Sequence, residues 1–133
     1  MLDAVLQRMD LAFIGTLRHK VTFAELLQQP GARVLDVRTP EEMLALLPGE
    51  AFPLPWQCLA LNQLPDRWAE VPSKPLVGIF CPHGVRAAMA YVYLSARGYD
   101  NLRVLDGGYE ALCQCVRPGA LLAARNRGQA AAE

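Results

Sequence analysis

Cys81, Gly84 and Arg86 fall within one short stretch, Cys81-Pro82-His83-Gly84-Val85-Arg86-Ala87, and together they are the residue types that chemistry at an anionic sulfur needs. The run before it, Pro75-Leu76-Val77-Gly78-Ile79-Phe80, is short and apolar and reads as a buried strand. The run after it reads as a helix: Arg86 to Arg97 are helix formers, Ala87, Met89, Ala90, Tyr93 and Leu94 supply an apolar face, and Gly98 stands where a C-terminal cap belongs. Cys81 is therefore expected at the carboxyl end of a strand, facing a helix N-terminus whose first amide hydrogens are unpaired and carry partial positive charge. A sulfur anion is stabilised in such a place. Gly84 lets the backbone curl toward a ligand with no Cβ in the way, and Arg86 brings a fixed charge suited to oxyanions. A buried structural cysteine would account for Cys81 alone, not for Gly84 and Arg86 beside it.

Other polar residues near this loop have two readings each. His83 either hydrogen-bonds an anionic substrate or moves a proton near neutral pH, or it is an exposed loop histidine with no role. Arg86 either clamps a donor or braces the loop against a carboxylate. Asp36 is expected to reach the active loop from a neighbouring strand end, and Arg38 to form a structural ion pair with Glu42. Cys113 and Cys115, two apart on a helix, point in different directions and make poor disulfide partners. Cys58 is read as a buried cysteine, with a resolving role only if it lies near Cys81. His19 is remote in sequence, the four cysteines lack finger spacing, and no metal site is expected.

Strands and helices alternate around the loop. Leu2, Val5, Leu6, Met9, Phe13 and Leu17 fall at helical spacing, giving an N-terminal amphipathic helix over residues 1–20. Its apolar face is expected to pack on its own domain, with a homodimer contact second and a membrane surface third. Thr22-Phe23-Ala24-Glu25 has capping-box spacing, and Arg33 to Val37 follows as a strand. A second capping box, Thr39-Pro40-Glu41-Glu42, places proline at the first helical position. Ala51 to Pro55 reads as a short extended edge piece, and signals from Trp56 to Trp68 are mixed. A strand over Leu102 to Leu105 and a helix from Tyr109 to about Val116 close a domain over residues 21–118. The tail, 119–133, is expected to be helical or frayed. Such alternation implies an α/β fold with a mostly parallel sheet covered on both faces and ligands at the strands' carboxyl ends.

Composition narrows the classes of partner. At 133 residues the chain is read as one domain, and its 13 basic and 13 acidic side chains cancel. With no basic stripe, nucleic acid is not suggested; with no apolar stretch of about 18 residues, neither is a membrane span. The first residues lack a basic leader, so no signal peptide is expected, and an active thiolate fits the reducing cytoplasm.

Three ordered stretches resemble the rhodanese family of sulfurtransferases. Asp36-Val37-Arg38-Thr39-Pro40-Glu41-Glu42 is similar to its first signature, Cys81 to Ala87 to its active-site loop, and Gly98-Tyr99 through Leu105-Asp106-Gly107-Gly108 to its closing segment. Two positions depart. Ala45-Leu46-Leu47-Pro48-Gly49-Glu50-Ala51 lacks the histidine usual in that stretch, and Leu112 stands where a tryptophan usually follows the double glycine. The resemblance implies a three-layer domain with about five strands, and a Cys81 that carries a sulfane sulfur as a persulfide from a small-molecule or protein donor to a thiol or cyanide. It implies substrate contacts from His83, Gly84, Val85, Arg86 and Ala87, support from Asp36, Arg38 and Glu42, and no organic cofactor. A non-enzymatic binding or persulfide-carrier module is the alternative. A cysteine phosphatase or arsenate reductase is a further rival, but its loop is one residue longer between cysteine and arginine than the four residues here.

Overall fold

Capping chemistry and apolar alternation set the frame around Cys81. The computed structural model describes residues 2–49 and 51–132, with side chains to residue 127; Met1, Glu50 and Glu133, each within a stretch read above, lie outside it.

The N-terminal segment is two short helices rather than one, α1 (Leu2–Gln7) and α2 (Leu11–Gly15). Asp10 is the reason. Its carboxylate accepts the Phe13 amide at 2.9 Å and so caps a new helix. Val5 is buried and Met9 packs on the core beneath it, whereas Leu2, Leu6 and Leu17 of the expected apolar face are exposed. The segment therefore docks on its own domain. It leads into β1 (Lys20–Val21), a strand too short to show a period in the sequence.

Both capping boxes form. Thr22 opens α3 (Phe23–Leu27) and Thr39 opens α4 (Pro40–Ala45), each exchanging hydrogen bonds with the glutamate three residues on. Between them runs β2 (Arg33–Asp36). The edge strand is β3 (Trp56–Cys58), not the Ala51 to Pro55 stretch. Pro53 and Pro55 lack the amide hydrogens a ladder needs, so pairing begins only beyond them. Leu61–Gln63 makes a 3₁₀ turn and α5 (Leu64–Arg67) follows, with Pro65 accommodated in its first turn. Then come β4 (Val77–Phe80), α6 (Val85–Ala96), β5 (Leu102–Leu105), α7 (Gly108–Cys115) and α8 (Pro118–Ala132).

The five strands form one parallel sheet in the order β1-β5-β4-β2-β3, which puts β4 and its loop at the centre. Alternate residues divide between two cores. Leu35, Ile79 and Val104 face the layer that holds Ala87, Ala90 and Leu94 of α6. Val34, Phe80 and Leu105 face the layer that holds Phe23 and Leu26 of α3 and Leu112 of α7. Gly78 keeps the second layer close: a Cβ there would stand 2.8 Å from Leu26 Cδ2 and 2.9 Å from Leu105 Cγ. A central strand covered on both faces fixes its own carboxyl end, and Cys81 is the next residue.

Candidate active site

Helix α6 begins with no side-chain cap. Its N-cap is Gly84, left-handed at φ +85°, which has no side chain to satisfy the first-turn amides. Cys81 takes that place. Its Sγ accepts the Gly84 amide at 3.0 Å and the Ala87 amide at 3.3 Å, with the residue only 2% exposed. The Ala87 bond is geometrically that of an N-capping oxygen, made here by sulfur, so charge on the sulfur meets both the amides and the positive end of the helix. His83 and Val85 are exposed, and neither side chain hydrogen-bonds the Cys81 sulfur.

The curl of the loop is set from behind. Gly108 adopts φ +55°, and a Cβ there would overlap the Pro82 carbonyl oxygen. The Tyr109 amide donates to that same oxygen at 3.4 Å. The double glycine therefore lets the start of α7 press against the loop as no other residue could.

Charges around the loop pair differently from expectation. Arg86 pairs with Glu42, Nη1 to Oε1 at 2.6 Å and Nη2 to Oε2 at 2.9 Å, a contact of the bracing kind. This bidentate contact, with further hydrogen bonds from Thr39, holds the Glu42 carboxyl down to about 2. Glu42 also completes the capping box of α4, so one carboxylate ties that helix to the loop. Arg38 does not pair with the Glu42 carboxylate; it touches only the Glu42 carbonyl, at 3.3 Å. Its partner is Asp36, through Nε to Oδ1 at 2.9 Å and Nη2 to Oδ2 at 2.7 Å, with both side chains fully buried. Burial alone would lower the Arg38 pKa, but hydrogen bonds to Asp36 and Tyr109 override it and raise it. Asp36 accordingly does not reach the active loop. Its Oδ2 also accepts Trp56 Nε1 at 2.9 Å, and Arg38 Nη1 donates to the Tyr109 hydroxyl at 3.1 Å, so a buried polar net joins β2, β3 and α7 beside β4.

Cys58 ends β3 in register with Asp36, which is in register with Phe80. At roughly 4.8 Å per strand that sets it about 10 Å from the end of β4. It is exposed rather than buried, and burial of its surroundings pushes its thiol up, with Asp36 adding to the effect. Cys113 is exposed; Cys115 is half-buried, donates to the Leu112 carbonyl and is pushed up by burial to about 11.

Sequence reasoning missed His19. A groove of about 760 Å³ borders the outer side of the loop, between His83, Val85 and Met89 on one bank and His19, Lys20 and Asp106 on the other. Burial and then the nearby Lys20 lower the His19 pKa, and its Nδ1 is buried without a partner. Only the pairing of β1 with β5 brings it there, and nothing local in the sequence announces that pairing. Tyr109 and Trp56, which tie the Asp36–Arg38 pair to its neighbours, were likewise unmarked.

The rhodanese-like domain family model matches residues 20–115. A sulfurtransferase of Allochromatium vinosum is 33% identical over 75 residues, 56% of this chain and 65% of that protein, so the match spans less than two thirds of that relative. A thiosulfate sulfurtransferase, GlpE, of Tolumonas auensis is 30% identical over 87 residues, 65% of this chain and 77% of that one. Among solved structures, a rhodanese-like domain protein from Staphylococcus aureus aligns with a TM-score of 0.57 at 28% identity, covering 69% of this chain and 88% of that chain.

Proposed function

The chain belongs to the rhodanese-like domain family, and on that premise we propose that it is a sulfurtransferase that carries sulfane sulfur on Cys81. The observation that carries this reading is the pair of amide bonds, from Gly84 and Ala87, to a buried cysteine sulfur at the head of α6. Two displacements suffice. The Cys81 thiolate attacks the outer sulfur of a donor such as thiosulfate, the S–S bond of the donor breaks, and sulfite leaves with the electron pair. An acceptor thiolate or cyanide then attacks the outer sulfur of the Cys81 persulfide, and Cys81 departs as the thiolate it began as. Amides fixed in the loop stabilise the sulfur charge in both steps, and a bond pattern already formed needs no reorganisation as charge moves. The exchange balances with no metal and no electron carrier.

The donor is inferred from charge. Arg86 gives Nη1 and Nη2 to Glu42, Lys20 on the neighbouring groove faces Asp106 at 3.5 Å, and Pro82 and His83 supply no further fixed cation, so few unopposed charges attract a dianion. We therefore assign thiosulfate a weak affinity and a low-molecular-weight or protein persulfide the role of preferred donor. Incubation with thiosulfate and with glutathione persulfide, followed by intact-mass measurement, tests both statements. A one-sulfur adduct on the wild-type chain, lost in Cys81→Ser and formed at lower concentration of the persulfide, is the expected result. No adduct from either donor would instead favour a binding module without transfer.

A further inference from the structure

Three arginines line a second cleft, toward the opposite end of the sheet from Cys81. Arg103 lies at the start of β5, which runs parallel to β4, whereas Cys81 follows the end of β4. Arg8 follows α1 and Arg18 follows α2, and with Arg103 they line a cavity of about 410 Å³, within the size range of small-molecule sites, roughly 300–1,000 Å³. None of the three guanidiniums makes an ion pair among the described residues. Asp100 is the one acid in the lining. Arg103 gives one nitrogen to the Leu102 carbonyl at 2.6 Å, which fixes its direction and leaves other donors available.

The rest of the lining is not charged. Tyr91 and Ser95 of α6 add hydroxyls, and Phe13, Tyr91 and Tyr99 add rings. The Tyr99 hydroxyl is committed to the Trp68 and Val71 carbonyls, so that side chain offers the cleft only its ring. Phe13 stacks on His19 with ring centres 5.9 Å apart, which closes the turn that carries Arg18 on itself. Three guanidiniums beside one carboxylate leave the lining net positive, and a multiply charged anion balances that charge while meeting planar donor forks shaped for phosphate oxygens. Rings beside the charges suit a ligand with an organic body rather than a bare inorganic ion. Arg8 and Arg18 precede residues 20–115, so this feature is an addition to the family's matched region.

We propose that this cleft binds a small organic phosphate of about mononucleotide size, at a site separate from the Cys81 loop. The test is calorimetric titration at low salt with ADP and with inorganic pyrophosphate, on the wild-type chain and on Arg18→Ala, Arg103→Ala and Arg97→Ala. Arg97 is exposed and stacks on Trp68 and Tyr93 outside the cleft, so its variant controls for net surface charge. ADP is expected to bind saturably and more tightly than pyrophosphate. Each of Arg18→Ala and Arg103→Ala should weaken it by about tenfold or more, the effect of losing a charge-assisted hydrogen bond, while Arg97→Ala and Cys81→Ser bind as the parent does. Absence of saturable ADP binding, pyrophosphate binding as tightly as ADP, or an equal loss in Arg97→Ala would each overturn the proposal. The readout is binding alone, so it stands or falls apart from sulfur transfer.

Discussion

Replacing Glu42 by glutamine isolates one charge at the edge of the active loop. Glutamine at this position still completes a capping box, so α4 keeps its start and only the ion pair with Arg86 is lost. The pair, together with hydrogen bonds from Thr39, holds the Glu42 carboxyl at about 2 against an ordinary value of 4.5. At about 1.4 kcal/mol for each tenfold, that gap bounds the coupling at ~3.4 kcal/mol. The two side chains are 33% and 29% exposed, and solvent screening brings the expected loss in Glu42→Gln to roughly 1–2 kcal/mol. For a domain of 133 residues this lowers the melting temperature by about 4–7 °C at neutral pH.

The pH dependence gives the sharper check. Because folding lowers the carboxyl's pKa, its stabilising effect is complete above about 4.5 and is lost as pH falls through about 2. The difference between wild type and variant should therefore be flat from neutral pH to about 5, and shrink to about a quarter of its full size near pH 2.5. Urea unfolding of both proteins at neutral pH, pH 4 and pH 2.5 measures it, and carboxylates common to the two cancel in the difference. A variant as stable as wild type at neutral pH, or a difference that persists unchanged at pH 2.5, would refute the brace.

Gly108→Ala should displace the Pro82 carbonyl and with it the amides at Cys81, lowering the rate of persulfide formation by about 10- to 100-fold with the circular dichroism of the fold retained; a rate within about twofold of wild type would sink the idea. Asp36→Asn leaves the fully buried Arg38 guanidinium without its countercharge, and urea unfolding should register a loss of roughly 3–5 kcal/mol. Hydrolysis of an aryl phosphate should be negligible, because the loop holds four residues between Cys81 and Arg86 and encloses one sulfur rather than a phosphoryl group; turnover that disappears in Cys81→Ser would contradict this.

Local signals in the sequence were enough to place the loop. The apolar run to Phe80, the helix-forming run from Arg86 and the glycine at 98 fixed both flanks of Cys81, and Thr39 with Glu42 fixed the neighbouring helix start. Pairings across distance were not legible. Arg86 and Glu42 are 44 residues apart, and only the parallel pairing of β2 with β4 brings them together. The Asp36–Arg38 pair did leave a signal, since residues two apart at a strand end share one face, but an adjacent glutamate four residues on drew Arg38 to the wrong partner. The requirement for glycine at 108 depends on a carbonyl at 82, a contact that no local pattern encodes.

These pairings decide what the sulfur meets. Arg38 and Arg86, the two cations of the segments that build the site, are each matched by a carboxylate in a two-pronged contact, one buried and one at the rim. Neither supplies an unopposed charge to Cys81. The groups that hydrogen-bond Sγ are backbone amides of the loop and of α6, which do not titrate and cannot swing away as a side chain can. The ion pairs then serve position: Glu42 ties α4 to the loop, Asp36 with Arg38 ties β2 to α7, and α7 presses Gly108 on Pro82 from behind. On the proposed sulfur-transfer reading this division suits Cys81, because the ion pairs that hold the amides in place take no part in the exchange.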